Sequence, residues 1–186
     1  MPETEKVIYL TFDDGPHETI TPKVITLLGE YQAKATFFCI GDRVQKYPEI
    51  FSALKNEGHS IGNHTYYHVN GWDTEVDSYL DDVLKADALI GSKLFRPPYG
   101  RLTRRAFQRL EQLGYQTVMW SVLSGDYDSR LTEEQCARRV KTGLKPGAII
   151  LFHDSEKAER NMIYALESLL VVGSENGFSF KSLSTS

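Results

Sequence analysis

Two histidines four residues apart point to a metal site. The segment His64-Thr65-Tyr66-Tyr67-His68 places imidazoles at positions i and i+4, which share one face if the segment forms a helical turn. Two histidines and a carboxylate are a common ligand set of catalytic zinc, and this set leaves a position open for water. Zinc lowers the pKa of that water to about 7, so hydroxide becomes available at neutral pH. The alternative is two partly exposed polar residues on a loop.

An adjacent pair of carboxylates supplies the third type of ligand. Asp13 and Asp14 follow the β-rich run of residues 7–12. Adjacent residues at the end of a strand point in different directions, so one carboxylate can bind a metal while the other faces the bound water. The alternative is a plain turn, because Asp-Gly-Pro is also good turn chemistry. His153, which follows the apolar run of residues 148–152, is a candidate general acid.

The elements that must position these side chains alternate along the chain. Hydrophobic periodicity predicts strands at residues 7–12, 35–40, 60–62, 115–120 and 148–152, with helices after residue 21 and over 48–57, 74–90, 103–113 and 161–170. This alternation, without linker or repeat, predicts one α/β domain over residues 1–186 with a mainly parallel sheet. In such folds the side chains that follow the strands meet at one edge. The residues that follow strands here are Asp13, Asp14, Asn63, His64, Arg96, Asp126 and His153.

Three helix starts are predicted from capping residues. Thr21 resembles an N-cap that precedes a proline at the first helical position. Thr74 with Asp77 resembles a capping box in which Asp replaces the usual Glu or Gln, and Thr132 with Gln135 fits a regular capping box.

Four segments resemble four of the five motifs of the polysaccharide deacetylases, also called the NodB-homology family or carbohydrate esterase family four. They occur in the family's order and span residues 11–153, and they are Thr11-Phe12-Asp13-Asp14-Gly15-Pro16, His64-Thr65-Tyr66-Tyr67-His68, Arg96-Pro97-Pro98-Tyr99-Gly100 and Leu151-Phe152-His153. The resemblance implies a distorted (β/α) barrel. It also implies hydrolysis of an N-acetyl, sometimes O-acetyl, group on a sugar polymer.

The resemblance also implies roles for individual residues. Asp14, His64 and His68 would bind a divalent metal, usually zinc. Asp13 would be the general base that deprotonates the metal-bound water, and His153 the general acid that protonates the leaving amine.

Three further roles follow from the same resemblance. The backbone N–H of Tyr99 would help to stabilise the oxyanion, Arg96 would orient Asp13, and Leu151 would line the pocket for the acetyl methyl.

The fifth motif departs from the family pattern Asp-x-x-Asp-Trp. The segment Leu123-Ser124-Gly125-Asp126-Tyr127 occupies its place and keeps only the second Asp. Asp126 is expected to hydrogen-bond His153, to fix its tautomer and to raise its pKa. Tyr127 is expected to offer an aromatic wall to the substrate, and Trp72, in a polar setting, is the best candidate for an exposed sugar-stacking platform.

Composition narrows the possible partners. The chain has 186 residues, 41% of them hydrophobic, and a net charge of −4, which is ordinary for a globular protein and argues against a nucleic-acid partner. Its apolar runs are far shorter than the roughly 20 residues of a membrane helix, so no membrane partner is expected. No leader is visible at the N-terminus, so the protein is intracellular or its leader was trimmed. Cys39 and Cys136 are expected to be reduced and buried, with a disulfide between them as the alternative.

The sequence therefore predicts a metal-dependent hydrolase that removes acetyl groups from oligo- or polysaccharides containing N-acetylglucosamine, of the chitooligosaccharide or peptidoglycan type. A monomer is expected. The alternatives are an O-acetyl esterase acting on xylan, a relative acting on small non-sugar amides, and a non-catalytic carbohydrate-binding protein that kept only the fold.

Overall fold

Three runs of aromatic and aliphatic residues form the centre of a parallel sheet. A computed structural model describes residues 5–184. In it, β1 (Val7–Asp13) pairs in parallel with β2 (Ala35–Cys39) on one side and with β7 (Ile149–His153) on the other. These strands are mostly buried, as expected of parallel strands that are covered on both faces.

The remaining strands extend this centre in the order β5-β4-β3-β2-β1-β7-β6, while β8 pairs with the start of β1. Their bounds are β3 (Ser60–Asn63), β4 (Leu94–Phe95), β5 (Gln116–Thr117), β6 (Val122–Leu123) and β8 (Ser179–Phe180). The α-helices are α1 (Ile20–Glu30), α2 (Gly41–Lys46), α3 (Pro48–Asn56), α4 (Val76–Ile90), α5 (Arg104–Gln112), α6 (Glu133–Thr142) and α7 (Glu159–Glu175), with a 3₁₀ turn at Pro98–Gly100. No helix of this described range is long and apolar enough to cross a membrane.

The sheet curls into a barrel whose two edge strands do not pair with each other in the described chain. Residues 118–121 bridge this seam: the N–H of Val118 donates to the carbonyl of Phe95 (2.8 Å), and that of Ser121 donates to the carbonyl of Ile149 (3.0 Å). The predicted fold class, an α/β chain forming a distorted (β/α) barrel of mainly parallel strands, is confirmed.

Strand alternation separates the barrel interior from the core beneath the helices. The rings of Phe12, Phe37 and Phe152 stack at 4.9 and 5.6 Å on the helix-covered face. Because successive side chains of a strand point to opposite faces, the neighbours of these rings point into the barrel. In register across β1 and β7, Asp13 lies opposite His153.

Two of the three predicted helix caps are wrong. Thr19 precedes α1, so Thr21 lies inside its first turn, and its hydroxyl donates a hydrogen bond to the Asp154 carboxylate instead. At α4 the cap is Glu75, whose side chain accepts from the N–H of Asp77 (3.4 Å), and Thr74 is not used.

The predicted capping box at α6 and the predicted free cysteines are confirmed. Thr132 and Gln135 form the predicted capping box at α6, with bonds of 3.3 and 2.8 Å. Both cysteines are buried and free, as predicted. The strand predicted at residues 115–120 shortens to β5, because the chain leaves the sheet there to cross the seam. Residues 1–4, which bear on the prediction about a leader, lie outside the described part of the chain.

Candidate active site

The ends of the strands bring the predicted residues to one end of the barrel. Asp13 and His153 are the last residues of β1 and β7, His64 follows β3, and Arg96 follows β4. A pocket of about 320 Å³ opens there, and its wall includes eight of the predicted residues, namely Asp13, Asp14, His64, His68, Tyr99, Tyr127, Leu151 and His153. Arg96 and Asp126 lie buried behind that wall.

The three predicted metal ligands converge on one point. The Oδ1 atom of Asp14 lies 3.3 Å from Nε2 of His68 and 3.8 Å from Nε2 of His64. One donor atom from each residue lies within 4.8 Å of the other two. Two imidazoles and one carboxylate at this spacing suit a divalent cation that keeps an open coordination position.

The loop that carries the two histidines is not helical. Residues 64–68 form an irregular turn in which Thr65 and His68 have φ angles of 65° and 57°, a region that non-glycine residues rarely adopt. The expectation that both imidazoles share one face of a helical turn is therefore wrong, although the side chains still meet. Tertiary contacts rather than helical spacing hold this loop.

Asp82 on α4 is the main side-chain anchor of that loop. Its buried carboxylate accepts hydrogen bonds from the backbone N–H groups of Tyr66 (2.7 Å) and Tyr67 (3.1 Å), both between the two histidines. Asn63 adds a second tie, because its side chain accepts from the N–H of Thr65 (2.9 Å) and donates to the carbonyl of Val83 (3.0 Å) on the same helix. Asp82 lies outside every motif, so its role was not predicted from the sequence.

Hydrogen bonds set the protonation of His64. Its Nδ1 lies 2.7 Å from the carbonyl oxygen of Arg96, an atom that can only accept, so Nδ1 carries the proton and Nε2 is free to bind a cation. Burial lowers the pKa of His64, against the charge of Asp13. The neutral imidazole, which is the form that binds metals, is thereby favoured.

Asp14 is held in its ionised form. Burial alone would raise its pKa, but the hydrogen bond to His68 and the charges of His153, His64 and His68 lower it to about 2. The backbone of Asp14 has a φ angle of 82°. The chain therefore turns sharply at Asp14, and both carboxylates approach Nε2 of His64, at 3.8 Å from Asp14 and 3.9 Å from Asp13.

Arg96 holds Asp13. Its buried guanidinium donates to Oδ1 of Asp13 (2.9 Å) and to the hydroxyl of Thr11 (2.8 Å). It also donates to the carbonyls of Val118 (3.0 Å) and Met119 (3.3 Å) in the segment that crosses the seam. With Oδ1 occupied, the other oxygen of Asp13 lies 3.9 Å from Nε2 of His64, so it faces the position of the metal ligands.

Asp126 orients His153 as predicted. Its Oδ1 lies 2.8 Å from Nδ1 of His153, and its Oδ2 accepts from the backbone N–H of the same residue (2.8 Å). Burial lowers the pKa of His153, but the hydrogen bond and charge of Asp126, together with the charges of Asp13 and Asp14, raise it to about 9. His153 is therefore protonated at neutral pH, with its Nε2 edge turned to the pocket. The ring of Tyr127 packs edge-on against it at 5.1 Å.

The opposite wall comes from the turn after β4 and from the paired ends of β6 and β7. Tyr99 has a φ angle of 60°, and within the described residues its N–H makes no hydrogen bond. Leu123, which replaces the first Asp of the family pattern, pairs in register with Leu151, and both line the pocket. No role was predicted for Leu123 from the sequence. The parallel pairing of β6 with β7, which sets Leu123 beside Leu151, is the feature from which its position in the pocket wall follows.

Trp72 is exposed as predicted, with 62% of its surface accessible. It does not line the pocket itself. Its ring lies 5.0 Å from the guanidinium carbon of Arg101, and Arg101 does line the pocket. Trp72 is therefore joined to the pocket through one cation–π contact.

Comparison with known proteins identifies the family. A family model described as polysaccharide deacetylase matches residues 1–118. The chain belongs to this family. A peptidoglycan-N-acetylglucosamine deacetylase of Bacillus cereus is 37% identical, and the match covers 99% of this chain and 89% of that protein. A chitooligosaccharide deacetylase of Azorhizobium caulinodans is 36% identical, over 82% of this chain and 75% of that protein.

A solved structure shares the same architecture. The Bc1960 peptidoglycan N-acetylglucosamine deacetylase, in complex with 4-naphthalen-1-yl-N-oxidanyl-benzamide, superposes with a TM-score of 0.89 at 32% identity and covers 98% of this chain and 88% of that chain. This polysaccharide deacetylase is accordingly an N-deacetylase, a hydrolase that removes acetyl groups.

Proposed function

We propose that this deacetylase removes N-acetyl groups from N-acetylglucosamine units of an oligo- or polysaccharide, of the peptidoglycan or chitooligosaccharide type, and that it depends on a divalent metal. The observation that carries the proposal is the convergence of donor atoms from Asp14, His64 and His68 beside the free oxygen of Asp13, with His153 in the same pocket.

The donor set fits a zinc-like cation. His64 has its Nε2 free because Nδ1 is bonded to a carbonyl, and Asp14 is ionised. Both are the states that metal ligation requires. A divalent metal bound there supplies a Lewis acid and lowers the pKa of a water. We propose zinc because imidazole with carboxylate suits it.

The base is oriented and the acid is protonated. Asp13, oriented through one oxygen by Arg96, accepts the proton of the attacking water with the other. His153, protonated because of Asp126, donates a proton to the leaving amine. Each such proton transfer contributes about 10²- to 10⁴-fold to the rate.

The remaining groups position the substrate. The unpaired N–H of Tyr99 donates to the oxyanion that develops on the acetyl carbon. Leu151 contacts the acetyl methyl, with Leu123 beside it. Tyr127 and Trp72 offer aromatic faces to the sugar rings. Every proposed ligand and catalytic residue belongs to one chain, so we propose a monomer as the working form.

Acetate release, measured with the metal bound, removed and restored, tests this function. Metal-loaded enzyme is assayed with chitooligosaccharide, peptidoglycan fragments and acetylated xylan, and the assays are repeated after chelation and metal restoration. We expect release from the N-acetylated glycans, loss on chelation and recovery with zinc. Asp13→Asn should lower kcat by about 10²- to 10⁴-fold, whereas Asp81→Asn, at an exposed acid of α4, should retain full activity.

Four outcomes would contradict the proposal. Activity that survives chelation, or full activity in Asp13→Asn, would remove the metal-and-base mechanism. Release from acetylated xylan alone would make the chain an O-acetyl esterase, and tight glycan binding without any turnover would make it a binding protein.

A further inference from the structure

Two positively charged side chains flank the mouth of the catalytic pocket. Arg101 follows the 3₁₀ turn after β4, and Lys157 lies between β7 and α7. Both line the same pocket as the proposed metal ligands. Residues 118–121 bridge the seam between β4 and β7, so the segments that carry the two cations lie on the seam side of the pocket.

These two cations have no acidic partner among the described residues. Neither side chain forms a hydrogen bond or an ion pair there. Some exposed cations are paired, as in Lys23 with Glu159 (2.6 Å) and Arg160 with Glu133 (2.9 Å). Others, such as Arg104 and Lys145, are exposed and have no such partner in the described chain, so Arg101 and Lys157 are distinguished by lining the pocket. In a chain whose net charge is −4, these two cations add positive charge to a pocket wall that also holds Asp13 and Asp14.

The nearby acids are already engaged. Asp13 is bound by Arg96 (2.9 Å), and Asp14 contacts His68 (3.3 Å). Lys157 lies close enough to Asp128 for its charge to help lower the pKa of that acid. Asp128, however, is already held by Arg130 through two bonds of 2.8 and 2.9 Å. The charge of Lys157 is therefore available to a ligand.

The side chain of Arg101 is held in place by a cation–π contact with Trp72. Its guanidinium carbon lies 5.0 Å from the centre of the exposed Trp72 ring, and Gly71, the residue before Trp72, bridges to Leu102, the residue after Arg101. Stacking restricts the guanidinium plane but leaves its N–H groups free for an anion.

A second cleft beside the metal site has the opposite character. It encloses about 490 Å³, shares Asp14, His68 and Ser155 with the catalytic pocket, and carries the acids Asp42 and Glu156 besides Arg43. A glycan that extends from the metal site therefore meets two unpaired cations on one side and a more acidic cleft on the other. This asymmetry gives an anionic substituent a preferred side.

We propose that Arg101 and Lys157 form a carboxylate-binding site for the substrate, so that the enzyme prefers glycans whose sugars carry a carboxylate, as the ether-linked lactyl group of muramic acid does. The inference rests on the proposed deacetylase function and adds the charge of the substrate. Arg101 suits a carboxylate because its planar fork matches the two oxygens.

A paired-substrate experiment tests the site. Values of kcat/KM are measured for an oligosaccharide of alternating N-acetylglucosamine and N-acetylmuramic acid and for an uncharged chitooligosaccharide of equal length. Arg101→Gln and Lys157→Gln are compared with Arg104→Gln, an exposed arginine of α5 that does not line the pocket. Because partly exposed ion pairs are weak, each pocket variant should lose about three- to tenfold in kcat/KM on the anionic glycan, mainly through KM.

The expected result is a difference between the two glycans in how far each variant lowers kcat/KM. The loss on the anionic glycan should exceed the loss on the neutral one at least threefold, added salt should weaken only the anionic reaction of the wild type, and Arg104→Gln should match the wild type on both. Equal losses on the two glycans, or a wild type that favours the neutral one, would overturn the carboxylate site while leaving the deacetylase function intact.

Failure of the deacetylase function is recognised separately. If the wild type released no acetate from either glycan, calorimetric titration with the same two glycans and the same three variants would still decide the proposal. Preferential binding of the anionic glycan that Arg101→Gln abolishes would support it, and equal binding of both would refute it.

Discussion

The two halves of the barrel keep their geometry by different means. In the half formed by β1, β2, β3 and β7, neighbouring strands pair through runs of four or five consecutive register positions. In the half formed by β4, β5 and β6, each strand has two residues, and the seam lies here. Backbone ladders organise the first half, whereas a side chain, that of Arg96, organises much of the second.

This difference separates stability from catalysis in one half and couples them in the other. The long strands present Asp13, His153 and the histidine loop from a frame that does not need those side chains. At the seam, the guanidinium that orients Asp13 also binds the carbonyls of Val118 and Met119. A change to Arg96 therefore acts on the base and on the barrel together.

The largest expected effect is that of Arg96→Met, which destabilises the half formed by the short strands β4, β5 and β6. It leaves Asp13 as an unpaired buried charge and two carbonyls without their donor, so the free energy of unfolding should fall by about 3–5 kcal/mol. Activity should fall by about 10²- to 10⁴-fold because the base loses its orientation. Urea unfolding and kcat/KM measure the two effects.

Asp13→Asn is the matched test in the long-strand half. It should lose comparable activity with a smaller loss of stability, because Arg96 keeps Thr11, Val118 and Met119 as acceptors. Equal losses of stability in the two variants would show that the halves do not differ as described.

The next largest effect concerns the loop of His64 and His68. This loop belongs to the long-strand half, but it is held by a side chain, that of Asp82. Asp82→Ala removes the acceptor of two N–H groups between His64 and His68. Metal affinity should therefore fall by about 10- to 100-fold, measured by competition with a chelator. Asp82→Asn, which keeps an acceptor oxygen, should recover part of the affinity.

Asp81→Ala is the control for this position, because Asp81 is the exposed neighbour on the same helix and should bind metal as the wild type does. Unchanged metal affinity in Asp82→Ala would mean that the strand end alone positions the histidines.

The smallest effect concerns the meeting point of the halves, where Asp126 beyond β6 contacts His153 on β7. Asp126 raises the pKa of His153 to about 9, and the acid works only while it is protonated. Activity should therefore be retained below that pKa and fall as the pH rises through it. In Asp126→Asn the alkaline limb should move to lower pH by about one unit or more.

The pH profile of kcat, with wild type and variant under the same metal load, measures this shift. A Tyr127→Phe variant, which keeps the ring beside His153, serves as the control and should keep the alkaline limb of the wild type. An unmoved limb in Asp126→Asn would assign that limb to another group.

The sequence alone determined the fold class and the residues at the ends of the long strands. Apolar runs of five to seven residues that alternate with helical patterns indicate buried parallel strands, and the residues that follow such strands lie at the same edge of the sheet. The capping box of Thr132 and Gln135 was equally predictable, because its partners are three residues apart. The parallel sheet and the strand-end residues Asp13, Asp14, His64 and His153 were found in this way, whereas the barrel and the roles of these residues and of His68 were implied by the resemblance to the polysaccharide deacetylases.

Only the tertiary structure decided how these residues are held. The loop of His64 and His68 adopts positive φ angles because Asp82, more than a dozen residues away, binds its backbone. Arg96 binds the carbonyls of Val118 and Met119 at the seam, 22 and 23 residues away, and the hydroxyl of Thr11 on β1, 85 residues away. Arg101 and Lys157 share a pocket only because the sheet curls. Such partners cannot be predicted from a local sequence pattern, because these residues come into contact only after the strands have assembled.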